Sequence, residues 1–249
     1  MIMENTSPSI SREVQRVRHE LKLREVTVAR IRQTGTNMLS ITFKGDALRD
    51  FVSLSYDDHV KFVFPDGNGE SIRRDYTPTE HDPQRGELTL EFALHAEGAA
   101  TDWARRATEG MPAVIAGPRG SMIVPDNYDW YVLAGDLSAL PAITRRLKEI
   151  PAGTRVTAVI EIAHLGDMRQ FDTRAELDVR WVANGDELLA AVRALDLSTG
   201  AGYVWGGGEA ATMTRLRTVL LEEKQHPKGA MRVSAYWKPG AADFHEKLD

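Results

Sequence analysis

Tyr131-Val132-Leu133-Ala134-Gly135-Asp136-Leu137-Ser138-Ala139-Leu140-Pro141-Ala142-Ile143 marks the point where the chain changes character. Its first three residues form a short apolar strand. A loop of small residues follows, and then a helix predicted over residues 141–149, with proline acceptable in its first turn. Downstream, strands are predicted at 156–162, 179–182, 203–205 and 231–236, and helices at 188–195 and 210–223. Strands that alternate with helices imply a parallel sheet covered on both faces. Such sheets bind ligands beyond the carboxyl ends of their strands, and the Gly135–Ile143 loop follows the first strand directly. It lacks the full G-x-G-x-x-G fingerprint, so the usual dinucleotide inference does not apply.

Upstream the pattern is different. Residues 25–31 are rich in β-branched side chains, and Leu39, Ile41 and Phe43 alternate with polar neighbours. Residues 61–64 precede the turn Pro65-Asp66-Gly67-Asn68-Gly69, and a second extended run leads to Tyr76. Leu88, Leu90, Phe92 and Leu94 share one face of a strand, and residues 113–116 form another. Period-two alternation with turn punctuation predicts a small antiparallel β-barrel. One helix, 99–108, interrupts it and ends at Gly110. The polar stretch at 124–129 divides the chain into a barrel domain, 15–125, and an α/β domain, 126–249.

The 249 residues contain no cysteine. That excludes disulfides, cysteinyl iron–sulfur clusters, thiolate zinc sites and thiol catalysis, so redox chemistry would need an organic cofactor or a substrate metal. A formal net charge of −5 argues against nucleic acid or an acidic membrane as the main partner, although a local basic patch would be compatible with it. No stretch approaches the roughly 20 apolar residues of a membrane span, and the first residues have no apolar run suited to a signal peptide. The expectation is a cytoplasmic monomer with a frayed N-terminus up to about Glu13.

Six segments could carry chemistry. Arg74-Asp75-Tyr76-Thr77-Pro78 ends a barrel strand: arginine can neutralise a phosphate, tyrosine can stack on a flat ring, and threonine can bond a ring edge. An exposed strand end before a proline turn explains it equally well. Further on, His95 is followed by Gly98-Ala99-Ala100-Thr101, whose backbone N–H groups at a helix start suit a pyrophosphate, although Thr101 could simply cap the helix. Gly117-Pro118-Arg119-Gly120-Ser121 allows close backbone approach or a plain tight turn. Asp136, Ser138, Ala139, Leu140 and Pro141 form the loop described above. Trp205-Gly206-Gly207-Gly208-Glu209 reads as a strand–helix junction open to a bound group or as a bland turn. Ser234-Ala235-Tyr236-Trp237-Lys238-Pro239-Gly240 ends the last strand, either facing the interdomain cleft or covering the core.

The order of these segments resembles the siderophore-interacting protein family, flavin-dependent ferric-siderophore reductases of the ferredoxin-reductase-like superfamily. The resemblance runs from about Val17 to Gly240. Asp58-His59-Val60-Lys61 and Arg16-Val17-Arg18 add to it. The tail after Gly240, about one turn of helix, is shorter than in some members. The resemblance implies FAD on the barrel, held by Arg74, Asp75, Tyr76, Thr77, His95 and Gly98–Thr101. It implies NADPH or NADH on the α/β domain, held by residues 136–141 and 205–209. Electrons would pass through the flavin to siderophore-bound Fe(III), with no protein metal ligand. An anionic ferric siderophore would need local cations, for which Lys61, Arg119 and Lys238 are candidates. Arg169 and His164 lie where a 2′-phosphate would sit. Two alternatives stay open: a general flavin or ferredoxin-type reductase with another acceptor, and a non-catalytic siderophore-binding protein.

Overall fold

The computed structural model describes residues 12–65, 69–94, 98–241, 244 and 246–248. The first half contains β1 (Gln15–Arg18), β2 (Leu23–Gly35), β3 (Met38–Lys44), β4 (Val60–Pro65), β5 (Ser71–Tyr76), β6 (Pro78–Asp82), β7 (Glu87–Ala93), α1 (Ala99–Arg106), β8 (Pro112–Ala116) and β9 (Gly120–Ile123). Seven strands form one antiparallel sheet in the order β5-β4-β8-β2-β3-β7-β6. Its edge strands β5 and β6 are joined by Thr77 alone. Edges one residue apart lie side by side, so the sheet rolls into a barrel. Val60, Phe62 and Phe64 of β4 point inward with Phe43 and Phe92. The ring of Trp103 in α1 plugs the barrel, edge-on to Phe62 at 4.7 Å between centroids. Each such aromatic ring contributes about 1.5–3 kcal/mol on burial.

The second half contains β10 (Trp130–Gly135), α2 (Leu140–Glu149), β11 (Arg155–Glu161), β12 (Glu176–Val182), α3 (Gly185–Arg193), β13 (Gly202–Glu209), α4 (Ala210–Thr218), β14 (Met231–Trp237) and β15 (Glu246–Lys247). The sheet order is β12-β11-β10-β13-β14-β15. The first five strands are mutually parallel, and β15 is antiparallel to β14. The chain starts at β10, runs outward through β11 and β12, and returns to β13 on the other side of β10. That reversal opens a crevice at the carboxyl ends of β10 and β13. Ile143 and Leu147 of α2 cover one sheet face. Leu188 and Val192 of α3, with Met213 and Leu216 of α4, cover the other.

The predicted barrel and parallel sheet are both present, and three local expectations change. The glycine run is not a junction: β13 continues through Gly206, Gly207 and Gly208 to Glu209. Glycine weakens a strand in isolation, but here β10 and β14 flank it on both sides and supply backbone partners. The described part of the tail is the edge strand β15, not a helical turn. At the other end, Arg12 is tied down: its Nε donates to the Asn127 carbonyl at 3.1 Å, and its guanidinium lies 5.5 Å over the Tyr128 ring. The sequence Pro65–Gly69 turn falls partly outside the described residues.

Buried polar contacts join the two halves. Asp167 accepts from the backbone N–H and side-chain amide of Asn37 at 2.6 and 2.9 Å. Arg145 donates to the Ser53 hydroxyl at 2.7 Å and to the Ser53 and Pro78 carbonyls at 3.0 Å each. Arg169 donates to both carboxylate oxygens of Glu91 at 2.9 and 3.1 Å. That pairing commits to the barrel a guanidinium that the sequence reading offers to a 2′-phosphate.

Candidate functional site

A cavity of about 940 Å³ lies between the halves. Several sequence-predicted residues line it: Arg74, Asp75, Tyr76 and Thr77 at the end of β5; Gly98, Ala99, Ala100 and Thr101 at the start of α1; Ser138 and Pro141 after β10; and Lys238 after β14. Segments far apart in sequence thus face one space. His95 lies outside the described residues.

The barrel wall is built on aromatic packing. The Tyr76 ring sits 4.3 Å from Phe92 and edge-on to Phe62 at 5.8 Å. Burial pushes its phenol well above the ordinary range, so it stays protonated. Arg74 donates to the Arg73 carbonyl at 2.7 Å, and Asp75 pairs with Lys61 at 3.0 Å. The α1 start carries no side-chain cap: Gly98 is its N-cap, at φ +146. A Cβ there would be strained, and its nearest neighbour would be Thr101 Oγ1 at 3.9 Å. The result is an open cradle of helix N–H groups.

The other predicted residues make contacts within the protein. Ala139, Leu140 and Trp205 are fully buried. Trp205 packs edge-on to Tyr56 and Tyr236. None of these three is among the residues that line the cavity. The Asp136 carboxylate accepts from Ser138 N and Oγ, Glu209 N and Trp237 Nε1, which ties together the ends of β10, β13 and β14. Glu209 caps α4 by accepting from Thr212 N at 2.9 Å. Gly206, Gly207 and Gly208 are buried, and each would bring a Cβ within 3.1 Å of Leu216, Tyr236 or Asp136 respectively. Close packing of protein against protein accounts for them. Lys61 and Arg119 are not among the lining residues; Arg119 is exposed in the β8–β9 turn.

The structure adds residues that the sequence reading did not select. Asp57, Arg232 and Phe244 are of this kind; Ser234 and Tyr236, from the last-strand segment that the sequence reading set either at the cleft or over the core, line the cavity too, as do Glu91 and His59, the latter having entered only through the resemblance. Asp57 pairs with Arg232 at 2.5 Å, both nearly buried, and accepts from the Tyr236 hydroxyl at 3.2 Å. Burial and the Asp57 charge push the Tyr236 phenol well above its ordinary range. The Ser234 hydroxyl is buried and has no partner among the described residues. No local motif marks Asp57 or Arg232, because the fold brings together a barrel loop and the last parallel strand.

The wall chemistry fits a flavin dinucleotide. It offers an aromatic ring at Tyr76, a cation at Arg74 that makes no ion pair among the described residues, an open N–H cradle at Gly98, and a volume at the upper end of the roughly 300–1,000 Å³ of organic-ligand pockets. Among the described residues, no group of three or more His, Asp or Glu could hold a metal ion.

Comparison with known proteins agrees with this geometry. Residues 128–240 match the family model described as siderophore-interacting protein, and residues 27–71 and 66–122 match its siderophore-interacting FAD-binding domain. The NADPH-dependent ferric-chelate reductase of Escherichia coli (strain K12) is 30% identical over 90% of this chain and 96% of its own. Ferric vibriobactin reductase ViuB of Vibrio cholerae is 25% identical over 96% of this chain and 97% of its own. The crystal structure of a siderophore utilization protein from T. fusca superimposes with a TM-score of 0.88 at 29% identity, covering 93% of this chain and 98% of that one. The ring-lined barrel edge, the uncapped helix start and the parallel-sheet crevice converge on one cavity, and with these matches they show that the chain belongs to the siderophore-interacting protein family.

Proposed function

We propose that this chain is an NAD(P)H-dependent ferric-siderophore reductase with FAD as its resident cofactor. The observation that carries this reading is the single cavity shared by the Arg74–Thr77 strand end, the α1 cradle and the Ser138–Pro141 loop. The names of the Escherichia coli and Vibrio cholerae relatives support the reaction class.

Bound there, FAD would supply a ring that accepts a two-electron donor and releases electrons singly. Tyr76 offers that ring a flat face, Thr77 a hydroxyl, and Arg74 and the Gly98–Thr101 backbone a cationic and N–H setting for phosphates. Ser138 and Pro141, at the carboxyl end of β10, would receive the nicotinamide nucleotide. Tyr236 and Phe244 add aromatic surface to the same wall. Exposed Lys238 offers a positive charge to an anionic ferric chelate. Each NAD(P)H reduces two Fe(III) to two Fe(II) and releases one proton. Fe(II) is a poor match for hard catecholate or hydroxamate oxygens, so reduction frees the metal without any protein ligand. Supply of the reduced nucleotide would place the reaction in the cytoplasm.

Steady-state rates with FAD-loaded protein test the reading, using NADH or NADPH, ferric siderophores and an Fe(II) trap. Faster turnover with ferric siderophores than with free flavin or quinones is expected. Turnover confined to free flavin or quinones would reassign the acceptor.

A further inference from the structure

Exposed large apolar side chains are few among the described residues. Four of the six, Leu21, Leu23, Val52 and Leu54, come from two short segments, with exposures of 56, 75, 44 and 49%. The segments are neighbours: Leu54 N donates to Ser121 Oγ in β9 at 3.1 Å, and Leu21 lies against Gly117. Leu21 and Leu23 alternate onto one face of extended chain, as do Arg16 and Arg18 of β1. Arg16 and Arg18 pair with Met122 and Gly120 of β9, next to exposed Arg119.

The charge here is not balanced. Lys22 and Arg24 offset Glu20 and Asp50. Arg16, Arg18 and Arg119 have no ion-pair partner among the described residues, and Glu25 lies at the edge beyond Leu23. An acidic protein therefore carries a local face of arginines around protruding leucines. A Cβ built on Gly117 would lie 3.9 Å from the Leu21 side chain and 4.0 Å from the carbonyl oxygen of His59, a cavity-lining residue, so this face lies near the cavity wall.

We infer that this face docks on an anionic lipid bilayer, with Leu21, Leu23, Val52 and Leu54 entering the interface and Arg16, Arg18 and Arg119 meeting the headgroups. Exposed apolar patches mark protein or membrane contacts, and cations beside apolar side chains suit an anionic interface. A second copy fits less well. A two-fold contact would set this patch against itself and oppose the three arginines with their own copies. A local basic patch of this kind is compatible with the negative net charge of the whole chain.

Co-sedimentation with vesicles of equal parts phosphatidylglycerol and phosphatidylcholine, against pure phosphatidylcholine, tests the inference. The wild-type chain should bind the anionic vesicles, more weakly at high salt. Replacing Arg16 and Arg18 by Glu should weaken binding on the order of thirty-fold or more, and replacing Leu21 and Leu23 by Ser should also weaken it. Both variants should keep the wild-type melting temperature and FAD affinity. No vesicle binding, or binding that neither variant changes, would overturn the inference. So would a dimer in light scattering that the variants abolish without any vesicle binding. Vesicle binding needs neither nucleotide nor iron, so its outcome is independent of the reductase assay.

Discussion

Arg74 is half-buried at the cavity wall and makes no ion pair among the described residues. Hydrogen bonds to charged groups are worth about 1.5–3 kcal/mol. Arg74→Ala should therefore raise the FAD dissociation constant about ten- to a hundred-fold in a fluorescence titration, with the melting temperature nearly unchanged. Unaltered affinity would remove Arg74 from the site. Glu161, at the end of β11, behaves differently. Burial raises its carboxyl pKa, and the Asp136 and Glu209 charges raise it further. Its folded pKa lies above the unfolded one, so at neutral pH the ionised group opposes folding. Glu161→Gln should raise the melting temperature at pH 7. The gain should shrink as pH falls through the ordinary glutamate range and disappear by about pH 3, where the wild-type residue is protonated in both states.

At the scale of elements, β10 and β13 approach so closely that side chains do not fit between them. A Cβ on Gly135 would lie 2.3 Å from the Gly207 carbonyl oxygen and 2.6 Å from the Ala139 Cβ. On Gly206 it would meet the end of the flexible Leu216 side chain at 2.8 Å. Gly135→Ala should cost about 2–4 kcal/mol in denaturant unfolding and more than Gly206→Ala, because backbone cannot move aside as a side chain can. Equal costs would contradict this reading of the crevice. The same elements show what was legible in the sequence. The alternation in β4 and β7 and the apolar β10 mark themselves by side-chain period. The extension of β13 does not, since three glycines read as a turn until two flanking strands are in place. β6 opens with Pro78 and reads as a turn, and proline is tolerated there because it is the first residue of an edge strand. The Arg74–Thr77 and Gly98–Thr101 walls were legible as local motifs. Asp57 and Arg232 were not, because only tertiary folding sets a barrel loop against β14.

At the scale of the molecule, the cavity exists because the two halves are held in fixed relation by Asp167–Asn37, Arg145–Ser53, Arg169–Glu91 and Arg232–Asp57. Met38 and Tyr56 of the first half also join the core of the second. Calorimetry should therefore show one cooperative transition, with calorimetric and van't Hoff enthalpies in agreement. Two separated transitions would mean that the halves are only loosely joined. The central claim is that one cavity couples a two-electron donor to a one-electron metal acceptor. Anaerobic titration of FAD-loaded protein with NADPH or NADH, followed by a ferric siderophore and an Fe(II) trap, tests it most directly. The account predicts that the flavin absorbance bleaches with the nucleotide, returns with the chelate, and yields two Fe(II) per nucleotide consumed. Folded protein that retains no FAD, or bleached flavin that the ferric chelate leaves reduced, would contradict it.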